Sequence, residues 1–396
     1  MKLVIAGKNN IAVDVLKHAI KLKNIEVIVV LNRTENFTNG FQKSLGFYAK
    51  LWNVPIVLLT DVYRFDEVIF LSLEFDQIIK PNLFKNRKLY NIHFSLLPEY
   101  KGMYTSALPI LCGELKSGVT LHIIDEGIDT GDIIAQKDFE ICEKETARTM
   151  YFKYIEHGTQ LVIKNLKNIL DNNIETFPQI QLNSTYYGKN SIDYNNLKID
   201  YRKTACQIDR QLRAFSFREY QLPNYNEYDI GTWEVLNQKS KLKPGSVINR
   251  VGNKIHIATI DFDMNLYIDY YKDLWEYCRL NDLSSLKNLL KNTDLNLETK
   301  TKEGWTALII AVYNGAFECA EFLIEQDADF TATNYNGTTV LMYAKAAAIK
   351  TKDTRIINRL LQLEVDINEK DVYGKTVIDW VENEDVELYN FFKSKL

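Results

Sequence analysis

The sequence predicts an α/β protein in three parts: a parallel sheet with helices on both faces, a small mixed second domain, and an all-α repeat array at the C-terminal end. Three observations predict it. Over residues 1–140 short apolar runs alternate with helical segments, residues 185–270 turn polar and Tyr-rich, and an internal repeat fills the last third. The repeat is carried by "GWTALIIA" at 304, "GTTVLMYA" at 337 and "GKTVIDWV" at 374, at spacings of 33 and 37. Strands separated by helices imply parallel crossovers, and a period of 33 with a G-x-T-x-L helix opening is the pattern of ankyrin repeats.

In chain order, "KLVIAG", "EVIVVLN", "PIVLL" and "DEVIFLSL" read as short buried strands, with helices over "NIAVDVLKHAIKL" and "GFQKSLGFYAKLW" between them. The arrangement is Rossmann-like, yet the first turn, "AGKNNIA", has one glycine where a dinucleotide fold has G-x-G-x-x-G. A helix starting at Asn9 and Asn10, with Lys8 before it, reads either as a capped turn or as an anion cradle, so Lys8 and Asn9 are candidate substrate contacts. The strand "VTLHII" alternates cleanly, an acidic Gly-rich loop follows, and "DIIAQKDFEI" returns beside it. A helix over 146–170 closes the domain. The second domain has a helix at "TACQIDRQLRAF" and strands in "SVINRVGNKIHIATID". The repeats open on the cap "LWEYCRLNDLSSLKNLLKN". The expected boundaries are 1–185, 186–270 and 271–396.

A net charge of −4 argues against an extended nucleic-acid partner. The five scattered cysteines fit neither a disulfide framework nor a zinc spacing. The opening has no signal segment and no apolar run is long enough to span a bilayer, so a cytoplasmic protein without a membrane partner is expected. Read as a calcium loop from Asp125, "DEGIDTGDIIAQ" has Thr130 where the glycine belongs and Gln136 where the glutamate belongs. No metal is expected.

The stretch "NIHFSLLPEYKG" carries the chemistry. Residues two apart on a strand share a face, so Asn91 and His93 point the same way at a strand end before a Ser-Leu-Leu-Pro turn. Of the five histidines, His18, His122, His157 and His256 lie within periodic helices or strands and read as structural. Ser95 as a nucleophile with His93 as its base is an alternative, although no nucleophile-elbow sequence accompanies it. Acid–base chemistry is the other: an imidazole titrating near neutrality beside an amide that can donate to a developing oxyanion.

With its continuation "ALPILCGELKSGVTLHIIDEGIDTGDIIAQ", this stretch resembles the formyltransferases that use 10-formyltetrahydrofolate. Asn-x-His before Ser-Leu-Leu-Pro, the Gly-Val-Thr strand and a downstream Asp-x-Gly-Asp carry the resemblance, over about residues 1–180. It implies a Rossmann-like catalytic domain with Asn91, His93 and Asp129 as catalytic residues. His93 is then expected to take a proton from the attacking amine or stabilise the tetrahedral intermediate, Asn91 to bond the formyl oxygen, and Asp129 to orient His93. The pterin is expected against the backbone at Gln77, Ile78 and Ile79 and against the loop from Asp125 to Asp129.

Within the family, the tRNA-directed members bring a basic surface and a barrel-like C-terminal domain, whereas this chain is acidic and ends in repeats. It is more similar to the sugar N-formyltransferases, whose second domain resembles "TYYGKNSIDYNNLKIDYRKTACQIDRQLRAFSF". That implies a nucleotide-linked amino sugar as substrate, with Arg213 either contacting the diphosphate or serving as an anchor, and Tyr187 packing against sugar or base. The ankyrin tail implies the members acting on dTDP-amino-dideoxyhexoses for bacterial surface polysaccharide, with dTDP-3-amino-3,6-dideoxyglucose expected and the 4-amino isomer as the alternative. A homodimer is expected from the same resemblance. Trp305, at the variable position of "EGWTAL", either packs between repeats or, with Tyr335 and Lys302, forms a second nucleotide-sugar site by stacking on a base.

Overall fold

The computed structural model describes every residue except Arg87, Asn196 and Leu396. The chain forms two compact units: Met1–Thr38, Gln42–Ile248 and His256–Asn265 make one, and Asn39–Phe41, Asn249–Ile255 and Leu266–Leu396 the other.

In the first unit the expected alternation becomes β1 (Lys2–Gly7), α1 (Asn9–Ala19), β2 (Glu26–Leu31), α2 (Leu45–Leu51), α3 (Leu59–Val62), β3 (Val68–Leu73) and β4 (Leu89–His93). Then come β5 (Lys101–Gly102), α4 (Leu108–Cys112), β6 (Lys116–Ile123), β7 (Ile133–Glu140) and α5 (Ala147–Leu170). One six-stranded sheet runs in the order β2-β1-β3-β4-β6-β7. The pairs from β2 to β4 are parallel and those of β6 with β4 and β7 are antiparallel. The sheet therefore changes sense at the strand that carries Asn91 and His93.

Each element follows from its residues. Apart from Lys2 and Ser72, β1 and β3 are apolar, and beyond Lys2 they are buried on both faces, as strands covered on both sides must be. On one face Val4, Ala6, Ile28, Val30, Phe70 and Leu89 pack with Val62 and Phe84. α5 starts at Thr146, whose hydroxyl accepts the Thr149 N–H, and buries Met150, Tyr154 and Leu161 along one face. "PIVLL" does not form the expected strand. It makes a single bridge, Ile56 with Val29, because Asp61 accepts the Leu58 N–H at 3.2 Å and turns the chain into α3 instead.

After α5 come β8 (Tyr186–Tyr187) and α6 (Ala205–Phe215), then β9 (Asn224–Tyr225), β10 (Tyr228–Val235), β11 (Val247–Val251), β12 (Lys254–Ile257) and β13 (Met264–Ile268). This is the mixed second domain of the sequence reading.

The second unit contains four helix pairs: α7 (Tyr271–Leu280) with α8 (Leu283–Asn292), α9 (Ala307–Tyr313) with α10 (Phe317–Glu325), α11 (Val340–Thr351) with α12 (Arg355–Gln362), and α13 (Val377–Val381) with α14 (Val386–Lys393). The repeated threonine has a mechanical role. Thr306, Thr339 and Thr376 each precede a helix and accept the N–H of the residue three further on. Cys278, Leu308, Leu323, Leu341, Leu360 and Phe392 belong to one continuous apolar core that joins the pairs.

Candidate active site

Asn91 and His93 project from the same face of β4, and the register places them opposite His122 and Thr120 of β6. The turn after His93 is fixed from below. The Thr120 hydroxyl donates to the Ser95 carbonyl at 2.6 Å and accepts the Leu97 N–H at 3.1 Å, and Gln136 of β7 donates to the Leu97 carbonyl at 2.9 Å. Phe94 is stacked on Tyr154 of α5, ring centroids 5.3 Å apart, which pins the strand exit. Ser95 is fully buried and its hydroxyl donates to the Glu99 carbonyl at 2.6 Å. The serine-nucleophile alternative has no exposed hydroxyl to use.

The loop after β6 folds back so that Asp129, in the left-handed region at φ +54°, reaches His93. Its Oδ2 stands 3.4 Å from His93 Nδ1 and accepts the Gly102 N–H at 2.9 Å, while Oδ1 is 3.7 Å from His122 Nε2. Burial raises the Asp129 carboxyl, but His93, His122 and the Gly102 N–H outweigh it and hold it well below the ordinary carboxylate range. His93 is 7% exposed. Burial pushes its imidazole below the usual value, against the pull of Asp129 and the Tyr100 carbonyl, and with a further push from His122. His93 Nε2 lies 2.8 Å from the Tyr100 carbonyl oxygen. A carbonyl has no proton to give, so Nε2 carries the hydrogen and the neutral ring keeps its lone pair on Nδ1.

His122 is a site residue that sequence reading missed. Its Nδ1 donates to the Ile123 carbonyl at 2.8 Å, so in the neutral ring Nε2 accepts from Asn91 Nδ2, 3.1 Å away. This contact orients the Asn91 amide and leaves its second hydrogen for a ligand. Only cross-strand register could have revealed it.

The remaining predicted residues divide. Asp125 shapes the loop, its Oδ1 accepting the Gly127 N–H at 3.1 Å and the Thr130 hydroxyl at 2.6 Å. Gln77 accepts from Arg33, and Ile78 is exposed, whereas the Ile79 side chain is buried in the core. Asn9 corrects the anion-cradle reading. It is buried, and its Nδ2 is directed to Glu74 Oε2 at 2.9 Å and the Tyr151 hydroxyl at 2.7 Å. Lys8, beside it, contributes its charge near Glu74. Tyr187 stacks on Tyr100 at 5.5 Å between centroids.

Arg213 is an anchor, not a free cation. It donates to Asp209 at 2.7 Å and to the Glu145 carbonyl at 3.1 Å, lining a groove of about 930 Å³ with Lys144, Arg210 and Trp233. In the repeat unit, Trp305 takes the packing alternative, its ring 5.0 Å from Tyr313 and 5.4 Å from Tyr343. Tyr335 lies against Gly304, where an added Cβ would come within 2.5 Å of its ring, and Lys302 is exposed. Among the described residues no group of three His, Cys, Asp or Glu is placed to hold a metal, and no helix is long and apolar enough to cross a membrane.

Comparison with known proteins places the chain in a family. Residues 64–166 match the formyl transferase family, 191–268 the formyl transferase C-terminal domain and 274–371 the ankyrin repeats. An N-formyltransferase from Helicobacter canadensis, solved with folinic acid and dTDP-3-aminofucose, is 41% identical over 68% of this chain and 100% of its own, with a TM-score of 0.63. The chain belongs to the sugar N-formyltransferase family. WlaRD, a sugar 3N-formyl transferase solved with dTDP and 5-N-formyl-THF, is 42% identical over 68% of this chain and 97% of its own, also with a TM-score of 0.63. The methionyl-tRNA formyltransferase of Clostridioides difficile stands further off, 29% identical over 66% of this chain and 89% of its own. This sugar N-formyltransferase thus presents an amide and a neutral imidazole on one face of β4, with a charged carboxylate brought beside them by the loop after β6.

Proposed function

We propose that the enzyme formylates the amine of a dTDP-linked 3-amino-3,6-dideoxyhexose, with 10-formyltetrahydrofolate as the formyl donor, and that Asn91, His93 and Asp129 carry the reaction. The observation that carries the reading is the convergence of those three side chains, with His93 neutral beside a carboxylate that stays charged. The folate, when bound, supplies the activated formyl carbon. The residues fit it: Ile78 and Ile128, 75% and 45% exposed on the loops after β3 and β6, offer apolar faces to a planar ring, and the acidic loop from Asp125 offers acceptors to its N–H groups. His93 Nδ1 takes the proton that the amine sheds as its nitrogen bonds to the formyl carbon, Asp129 stabilises the imidazolium, and His93 would return the proton to the folate nitrogen as that nitrogen's bond to the formyl carbon breaks. The free hydrogen of Asn91 Nδ2 is available to an oxygen gaining negative charge, an interaction strongest in the transition state.

Our best substrate is dTDP-3-amino-3,6-dideoxyglucose, whose N-formylated product would be supplied to surface-polysaccharide assembly. The galacto-configured epimer is the second reading, favoured by the dTDP-3-aminofucose held by the Helicobacter canadensis relative. The test is mass spectrometry of reactions with 10-formyltetrahydrofolate and a panel of dTDP-3-amino and dTDP-4-amino sugars, beside a His93→Asn control. Gain of one formyl group on a 3-amino sugar, absent in the control, is expected. Formylation of the 4-amino sugars alone would reverse the substrate reading.

A further inference from the structure

The two segments that complete the triad, 100–103 and 129–132, lie outside the six-stranded sheet, and both use the left-handed region: Tyr100 at φ +55° and Gly102 at +89° in the first, Asp129 at +54° in the second. For Tyr100 and Asp129 such backbone persists only where surrounding contacts over-determine it. One stretch of chain, residues 177–187 after α5, makes those contacts on both loops. Ile133 and Phe177 exchange two backbone hydrogen bonds of 2.8 Å. Gln179 Nε2 donates to the carbonyls of Asp129 and Gly131, at 2.9 and 2.8 Å. The Thr185 hydroxyl accepts the Tyr100 N–H at 2.7 Å, its carbonyl accepts the Lys101 N–H at 3.0 Å, and the Tyr187 carbonyl accepts the Met103 N–H at 2.8 Å.

The same short loops act directly on the catalytic side chains. Tyr100 gives its carbonyl to His93, and Gly102 gives its N–H to Asp129. We propose that 177–187 is a clasp that sets the His93–Asp129 geometry, with Gln179 and Thr185 as positioning residues for formyl transfer. Two observations separate this from a stability role. Phe177, Ile180 and Leu182 are 58, 75 and 76% exposed, so the clasp adds little buried apolar area to the fold. Gln179 keeps its donors on the Asp129 loop although its buried Oε1 has no partner among the described residues, an arrangement that favours loop position over full satisfaction of the side chain.

The proposal rests on the triad reading, and the test separates the two. Steady-state kinetics and thermal melting are measured on the full chain for Thr185→Val, Thr185→Ser, Gln179→Met and His93→Asn, using 10-formyltetrahydrofolate and the amino sugar that the wild type formylates. Thr185→Val and Gln179→Met are expected to lower kcat on the order of 10- to 100-fold, as small misplacements of reacting groups do, with KM for the sugar and the melting temperature little changed. Thr185→Ser, which keeps the acceptor, is expected to recover the rate. Full turnover in both Thr185→Val and Gln179→Met, with His93→Asn inactive, removes the clasp and leaves the triad. A rate loss that tracks falling melting temperature and is not recovered by Thr185→Ser also overturns it, as does failure of both variants to fold. An active His93→Asn enzyme removes the triad reading itself.

Discussion

Asp129 Oδ2 stands 3.4 Å from His93 Nδ1, the ring nitrogen left without a hydrogen once Nε2 is committed to the Tyr100 carbonyl. In the proposed reaction the carboxylate faces the atom on which the proton arrives, and its negative charge is in place before the proton is. Replacing Asp129 with Asn preserves shape and the acceptor for Gly102 but removes that charge. We expect kcat to fall by about 10²–10⁴, the span of positioned acid–base catalysis, with an unaltered circular dichroism spectrum. A loss below tenfold would mean that Asp129 only shapes its loop.

The pH profile should carry the signature of the same pair. Burial holds the His93 pKa below its usual value, so the base is unprotonated through neutrality, and kcat/KM should be flat there and fall only on the acid side of about 6.5. Asp129 pulls that pKa up and His122 pushes it down. Asp129→Asn should thus move the acid limb to lower pH, and His122→Asn should move it higher. Limbs that shift together, or not at all, would assign the titration to another group.

Gly102 is needed for two reasons that Ala cannot meet. Its φ of +89° lies where L side chains are rarely found, and an added Cβ would stand 2.3 Å from the Tyr187 carbonyl oxygen. Gly102→Ala must therefore part β5 from β8 or distort the N–H that Asp129 accepts. A loss of more than about 1 kcal/mol of stability by denaturant titration is expected, together with most of the activity. Wild-type stability would show that the loop has slack the geometry does not suggest.

Much of this was legible in the sequence because it is written in local periodicity. The buried runs of β1 and β3, the Thr-capped repeat helices and the shared face of Asn91 and His93 each follow from spacings of a few residues. What escaped depends on partners far away in the chain. His122 reads as an ordinary strand residue until the β4–β6 register puts it beside Asn91, 31 positions away. For Arg213 the sequence leaves a diphosphate contact and an anchor open, and its bonds to Asp209 and the Glu145 carbonyl, not legible in the sequence, are those of an anchor. "PIVLL" has strand composition, but one Asp61 side chain decides its conformation.

Glu74 offers a test in the other direction of pH. It follows Leu73, the register partner of Ile92, so it leaves the sheet beside the exit of His93. Its side chain is half-buried, and burial raises its pKa although Lys8, Asn9 and Tyr151 oppose the shift. In the unfolded chain the group loses its proton near the ordinary glutamate value of 4.5, while the folded protein retains it to higher pH. Between the two values the folded state binds more protons at this group, so the stability that Glu74 contributes declines as pH rises from 4.5 through its folded pKa. Gln at position 74 can still accept from Asn9 and from the Tyr151 hydroxyl, now at 2.9 and 2.8 Å, but does not titrate. Urea denaturation across pH should show Glu74→Gln gaining on the wild type as pH increases. Parallel stability curves would mean that Glu74 is ionised in the folded protein, with Lys8 as its counter-ion.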